Sequence, residues 1–201
     1  MFATHQPLIG RFARENPVNW ARAIRFAIVS AHRPLWQMPG EMRKIDLMGA
    51  EAASSATKQA GCEYTARYAP ALFAACEERA ESPYWQAGNA IVCHLAGRVP
   101  GLGIAKAGFA AQLIYGLSGC LDTHNLRRFN LSVRRWQWSS YKGCRPATRE
   151  RNVAEYNSAV DGLGGTAWLW DDWCRYVAGL DPVAYPTADR ASELHIESVM
   201  P

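Results

Sequence analysis

Residues 104 to 116, IAKAGFAAQLIYG, limit more than any other stretch what this chain can fold into. They are apolar nearly all the way round a helical wheel. A helix with one apolar stripe needs one neighbour, whereas a helix apolar on every side must be enclosed by several. The segment therefore predicts a helix at the centre of a bundle, and the rest of the chain must supply the helices around it.

Gly and Pro punctuate a chain whose other segments also read as helical. Asn16 and Pro17 form an N-cap and a first-turn proline, after which Trp20, Ile24 and Ile28 recur every four residues, with an end expected near His32 before Pro34. A weaker helix is predicted over 41–60 and a third over 68–80. Ser82 and Pro83 then open YWQAGNAIVCHLAGR, with Trp85, Ile91, Val92 and Leu95 turned inward. Further helices are expected from Asp122, over 147–160, and from Thr166 to Gly179, the last burying Leu169, Trp170, Trp173 and Val177. Strand-like alternation is nearly absent, so the class is all-α.

With 201 residues, 49% of them apolar and 20% charged, the chain can bury one substantial core, or one core and a small annex. The expected organisation is a single domain over 1–180. Within it, 35–132 form the hairpin-containing bundle, 10–34 and 146–180 pack as a second lobe, and 181–201 form an extended tail. The first residues hold no apolar stretch suited to a signal peptide, and none anywhere approaches the roughly 20 residues needed to span a bilayer. The expectation is a cytoplasmic protein, of a bacterial cell or a phage-infected host, with no membrane partner. Net charge is only +4, so an anionic partner must be inferred from where the charge lies. The six cysteines show no Cys-x-x-Cys, and although His94 adjoins Cys93, buried free thiols are the better reading.

Between two helical segments stands Val99-Pro100-Gly101-Leu102-Gly103. Two glycines this close permit positive φ and let another backbone approach. The helix that follows presents unpaired amides suited to a phosphate. Such a turn can equally be a plain connection. Leu121-Asp122-Thr123-His124 follows, with Asp122 placed 22 positions after Pro100.

Pro-Gly-Leu-Gly, an apolar helix, and then Leu-Asp-Thr-His resemble the helix-hairpin-helix DNA glycosylase superfamily. The resemblance is strict over 99–129 and extends loosely, through helix order, to most of the chain. It implies a glycosylase-like helical bundle whose turn (Pro100, Gly101, Leu102, Gly103) holds a phosphate of double-stranded DNA, at times through a monovalent cation. It also implies that Asp122 is the essential carboxylate. Cleaving an N-glycosidic bond builds positive charge on the sugar, which a carboxylate can stabilise while it activates water. The target base must first leave the stack. Aspartate is also among the best N-caps, and the two roles are compatible. Lys106, His124 and Asn125 complete the candidate catalytic set, although His124 reads more readily as ordering local packing.

The chain departs from the family pattern at two points. Members that also cut the strand carry a lysine two residues after the second hairpin glycine; here that position is Ala105, and Lys106 lies about 100° further round the helix. The four-cysteine motif of many members is absent too, so no iron–sulfur cluster is expected.

Directly after the motif, residues 127–151 hold Arg127, Arg128, Arg134, Arg135, Lys142, Arg145, Arg149 and Arg151 against the single acid Glu150. Trp136, Trp138 and Tyr141 are interleaved with them. The run reads as a phosphate-contacting surface, with Arg127, Arg128, Arg134, Arg135 and Lys142 as its leading members.

Three functions follow in order of preference. The first is a monofunctional DNA N-glycosylase. The second is an enzyme similar to the phage thymine-hypermodification branch of the superfamily, the amino acid:DNA transferases, in which an amine co-substrate displaces an activated 5-hydroxymethyl pyrimidine group. The third is a non-catalytic DNA-binding module.

Overall fold

The computed structural model describes residues 2–30, 37–132 and 144–180, the last four by their backbone alone. Among the described residues there are nine α-helices and no strand. They are α1 (Phe2–Arg14), α2 (Pro17–Val29), α3 (Met38–Met48), α4 (Ala56–Ala80), α5 (Tyr84–Arg98), α6 (Ile104–Tyr115), α7 (Thr123–Arg128), α8 (Pro146–Gly162) and α9 (Gly165–Leu180). None of them is long and apolar enough to cross a membrane.

The apolar segment is the central helix. α6 is packed against by α1, α2 and α5, and Ile104, Ala107, Ala110, Ala111, Leu113 and Ile114 are all buried. Its one buried polar side chain, Gln112, donates from Nε2 to the Thr166 carbonyl at 2.8 Å. Small residues let neighbours approach closely. A Cβ on Gly10 of α1 would stand 2.6 Å from the Ile114 carbonyl oxygen, so these two helices cross backbone to backbone. Trp20 of α2 is fully buried and donates from Nε1 to the Tyr115 hydroxyl at 2.9 Å.

Local signals set several boundaries as expected. Asn16 caps α2 through Oδ1, which accepts from the amides of Val18 and Asn19. Gly116, in the left-handed region at φ 66°, closes α6. Other boundaries differ from the sequence reading. No helix was expected before Asn16, yet α1 forms despite Pro7, because Ile9 and Ala13 are buried and the Phe2 amide donates to Asp171 Oδ1 at 2.8 Å. The helix expected over 41–60 is two elements. Gly49 at φ 90° ends α3, a 3₁₀ turn spans Ala50–Ala52, and the Ser55 hydroxyl caps a new helix. That helix, α4, runs through to Ala80 with Pro70 on its exposed side, absorbing the helix expected at 68–80. α2 stops at Val29 rather than near His32.

Trp85 is a further correction. Ile91, Val92 and Leu95 are fully buried, but Trp85 in the first turn of α5 is 65% exposed. In α9, Leu169 and Trp170 are buried and Trp173 is half-buried, while Val177 is among the residues described by backbone alone. α2 packs on α1, α3, α4 and α6; α8 packs on α5 and α9, and α9 also touches α1.

Candidate functional site at the glycine bend

The bend between α5 and α6 is built by close packing. Leu102 is fully buried and its amide donates to the Val99 carbonyl at 3.2 Å, closing the turn. Gly101 adopts φ 78°, a conformation that favours glycine, and a Cβ there would meet Thr57 of α4 at 3.2 Å. The Pro100 carbonyl lies where a Cβ on Gly61 would be, 2.4 Å away. The bend is therefore locked onto α4 by two glycines, one on each side. No side chain caps the start of α6, so its leading amides have no intrahelical or capping partner.

Two lysines gather beside this bend at the C-terminal end of α2. Lys58 donates to the Val29 carbonyl at 2.8 Å, and Lys106 donates to Ser30 Oγ at 3.2 Å. Cations there complement the negative end of the helix dipole and raise the potential around the bend. Lys106 also lies 5.4 Å from the Phe109 ring centre. The Val99 carbonyl accepts the Leu102 amide, and the Pro100 carbonyl lies against Gly61 of α4.

Asp122 arrives by a return path. α6 is 12 residues long, about 18 Å at helical rise. After Gly116 the chain runs back along it. Gly119 crosses at Gly108, where an added Cβ would stand 2.5 Å from the Gly119 carbonyl oxygen. Gly108 is four residues from the start of α6, about 6 Å along its axis, and three extended residues from Gly119 to Asp122 span about 10 Å. The segment that carries Asp122 has thus turned back along α6, towards the end that the bend opens. The half-buried Cys120 thiol lies between two charges. Burial pushes it up to about 12, the nearby Asp122 carboxylate adds to the rise, and the Lys106 ammonium opposes it.

The return segment is fixed by α8. The fully buried Tyr156 hydroxyl accepts the Leu121 amide at 2.8 Å and donates to the Gly119 carbonyl at 2.7 Å. Ser118, at φ 63°, bonds Asn157, whose Nδ2 donates to Asn89 Oδ1 of α5 at 2.7 Å. At the end of this path Asp122 is half-buried and caps α7, its Oδ1 accepting the Asn125 amide at 3.0 Å. Oδ2 has no hydrogen-bond donor among the described residues and is open to a ligand.

The other sequence candidates separate into distinct roles. Asn125 is buried and structural, donating from Nδ2 to the Cys120 carbonyl at 2.6 Å. His124 is exposed, with its ring 6.4 Å from that of Trp173. Arg128 donates to Asp172 Oδ2 at 2.7 Å and to Asn125 Oδ1 at 3.1 Å, with its guanidinium 4.0 Å from the Tyr176 ring centre. Its fork is committed to fastening α7 onto α9. Arg127 is exposed. Arg134, Arg135 and Lys142, with Trp136, Trp138 and Tyr141, lie outside the described residues.

The sequence reading did not assemble a second group, the arginines Arg79, Arg98, Arg149 and Arg151 around His94. Only the last two fall in the basic run, and His94 had drawn notice only as the neighbour of Cys93. The signal is spread over more than 70 positions and has no local motif. Comparison with protein families, with curated proteins and with solved structures returns no match.

Proposed function

We propose that this chain acts on a base of double-stranded DNA. The 99–103 bend would hold the backbone while Asp122 faces the deoxyribose of a nucleotide turned out of the stack. The observation that carries this reading is the Gly108–Gly119 crossing, by which the segment leading to Asp122 turns back along α6 towards the bend. Uncapped amides and two lysines at the bend would attract a phosphate, and a carboxylate with one oxygen unpaired would face the attached sugar.

In its leading form the activity is that of a monofunctional DNA N-glycosylase in a helix-hairpin-helix-like bundle. Water adds to the sugar's C1′ as the C1′–N bond breaks. The electron pair leaves with the base, which takes up a proton from solvent, while the water gives one up to Asp122, which returns it to solvent. The carboxylate opposes the positive charge that builds on the sugar, work that falls in the range of about 10²- to 10⁴-fold for a positioned acid–base group. Lys106 is held by Ser30, and Ala105 stands where a strand-cutting member has its lysine, so no Schiff base is part of this reading.

The test is nucleoside mass spectrometry on normal, damaged and hypermodified DNAs treated with the protein. The expected products are free base and abasic sites. Asp122→Asn is expected to lose about 10²- to 10⁴-fold of turnover while still binding DNA. Full turnover by that variant would overturn the reading. A heavier nucleoside formed with an added amino acid would replace excision by amine transfer. Salt-dependent binding without any product would leave a DNA-binding module.

A further inference from the structure

A hollow of about 640 Å³ lies away from Asp122, lined by the end of α4, by α5 and by the start of α8. Arg79, Arg98, Arg149 and Arg151 reach it against one acid, Glu150. Arg149 is seated on α5 where Gly97 has no side chain, since a Cβ there would stand 2.4 Å from its Nη1. Its Nε donates to Cys93 Sγ at 3.3 Å. Among the described residues no carboxylate comes within ion-pair distance of Arg98, Arg149 or Arg151, and Arg79 has only the 82%-exposed Glu78 at 3.9 Å. In the lining, His94 Nε2 is buried and has no hydrogen-bond partner among the described residues.

Four guanidinium groups lining one hollow against a single acid raise the local potential, and a bound anion lowers that repulsion. The planar fork of arginine matches phosphate oxygens. Two features point to a strand rather than a single ion. Trp85 lines the hollow at the first turn of α5 and is 65% exposed, leaving indole surface for a base to stack on. From Trp85 to Arg98 the helix extends about 20 Å, and Arg98 is followed at once by the Val99–Gly103 bend. The charged surface is thus continuous in sequence with the proposed backbone grip.

We propose that this hollow binds the phosphodiester backbone of a single nucleic-acid strand, its arginines holding phosphates and the Trp85 indole stacking on a base. The site rests on the proposed function only in taking that strand to continue from the DNA held at the bend. A free nucleotide offers the same phosphate chemistry with one charge cluster instead of several, and would leave most of the arginines unmatched.

The experiment is fluorescence anisotropy of a labelled 12-nucleotide oligothymidylate with the full chain from 50 to 200 mM salt. The parent is expected to bind, with thymidine monophosphate competing no better than inorganic phosphate. Arg98→Gln with Arg149→Gln is expected to weaken binding at least tenfold and to lower the salt slope by about 1.4, the value for two lost contacts on a single strand. Trp85→Ala, an exposed substitution, is expected to cost about tenfold with the salt slope unchanged. Parent-like affinity in both variants at unchanged melting temperature would overturn the proposal, as would efficient displacement by thymidine monophosphate. Asp122→Asn in the same assay separates the two sites. If the arginine variants lose the strand but no DNA yields a product, the hollow stands and the reading at Asp122 falls. If products form and the arginine variants bind normally, the reverse holds.

Discussion

The return segment that carries Asp122 and the hollow between α5 and α8 are held by opposite means. The first is stitched by neutral hydrogen bonds and by contact of glycine with backbone, among them Gly108 against Gly119 and the Tyr156 hydroxyl between Gly119 and Leu121. The backbone groups of Gly119 and Leu121 are paired inside the protein, so the path to Asp122 is set before any ligand arrives. The second leaves charges of one sign facing each other and a buried imidazole nitrogen without a partner. Its electrostatics are completed only from outside. A fold can thus fix the position of a reacting group and, on other helices, keep a surface whose most stable state includes a partner.

Substitutions can break this contrast, beginning with the largest effect. Gly108→Ala puts a Cβ 2.5 Å from the Gly119 carbonyl oxygen, and both elements are backbone, so neither yields easily. A loss of about 2–3 kcal/mol is expected in denaturant unfolding. Tyr156→Phe removes the hydroxyl shared by the Leu121 amide and the Gly119 carbonyl, leaving two buried groups unpaired at about 2 kcal/mol. Loss of DNA-directed activity beyond the loss of fold in either variant would tie the return segment to Asp122. Asp122→Ala removes the α7 cap and is expected to cost about 1 kcal/mol, whereas asparagine caps as well as aspartate and should leave the melting temperature nearly unchanged. The pair separates the cap from the carboxylate.

The smallest effect sharpens the other side. Burial, then the charges of Arg79, Arg98 and Arg149, lower His94 from 6.5 to about 4. The unfolded chain takes up a proton near pH 6.5 that the folded chain refuses until about pH 4. Stability from this group is therefore complete above pH 6.5 and lost as pH falls from there to 4. The half-exposed ring limits the loss to on the order of 1 kcal/mol. His94→Gln should flatten that part of the pH–stability curve. A curve with no difference between parent and variant would show that neither burial nor the arginines hold the imidazole uncharged.

The legibility of these regions in the sequence follows their range. The α2 cap at Asn16, the enclosed helix α6, the bend with its glycines and the cap at Asp122 each depend on residues within a few positions, and each was expected. α1 was not. Its weak local pattern and Pro7 are overruled by α6, which accepts Gly10 at backbone distance. Arg128 looked like a free phosphate ligand because it stands in a basic run, but Asp172, 44 positions later, takes its fork. Trp85 looked like core because tryptophan is usually buried, yet it lines the hollow instead.

By itself the sequence determined that the chain is helical, where a fully enclosed helix must run, and that a glycine bend precedes a capping aspartate at a set interval. These follow from backbone sterics, periodicity and local hydrogen bonding, which act over one or two turns. Only the tertiary structure decided that Gly108 receives Gly119, that Arg128 belongs to Asp172, and that four arginines from three helices meet around His94. Those outcomes depend on which surfaces touch, and no stretch of one helix records the face of the next.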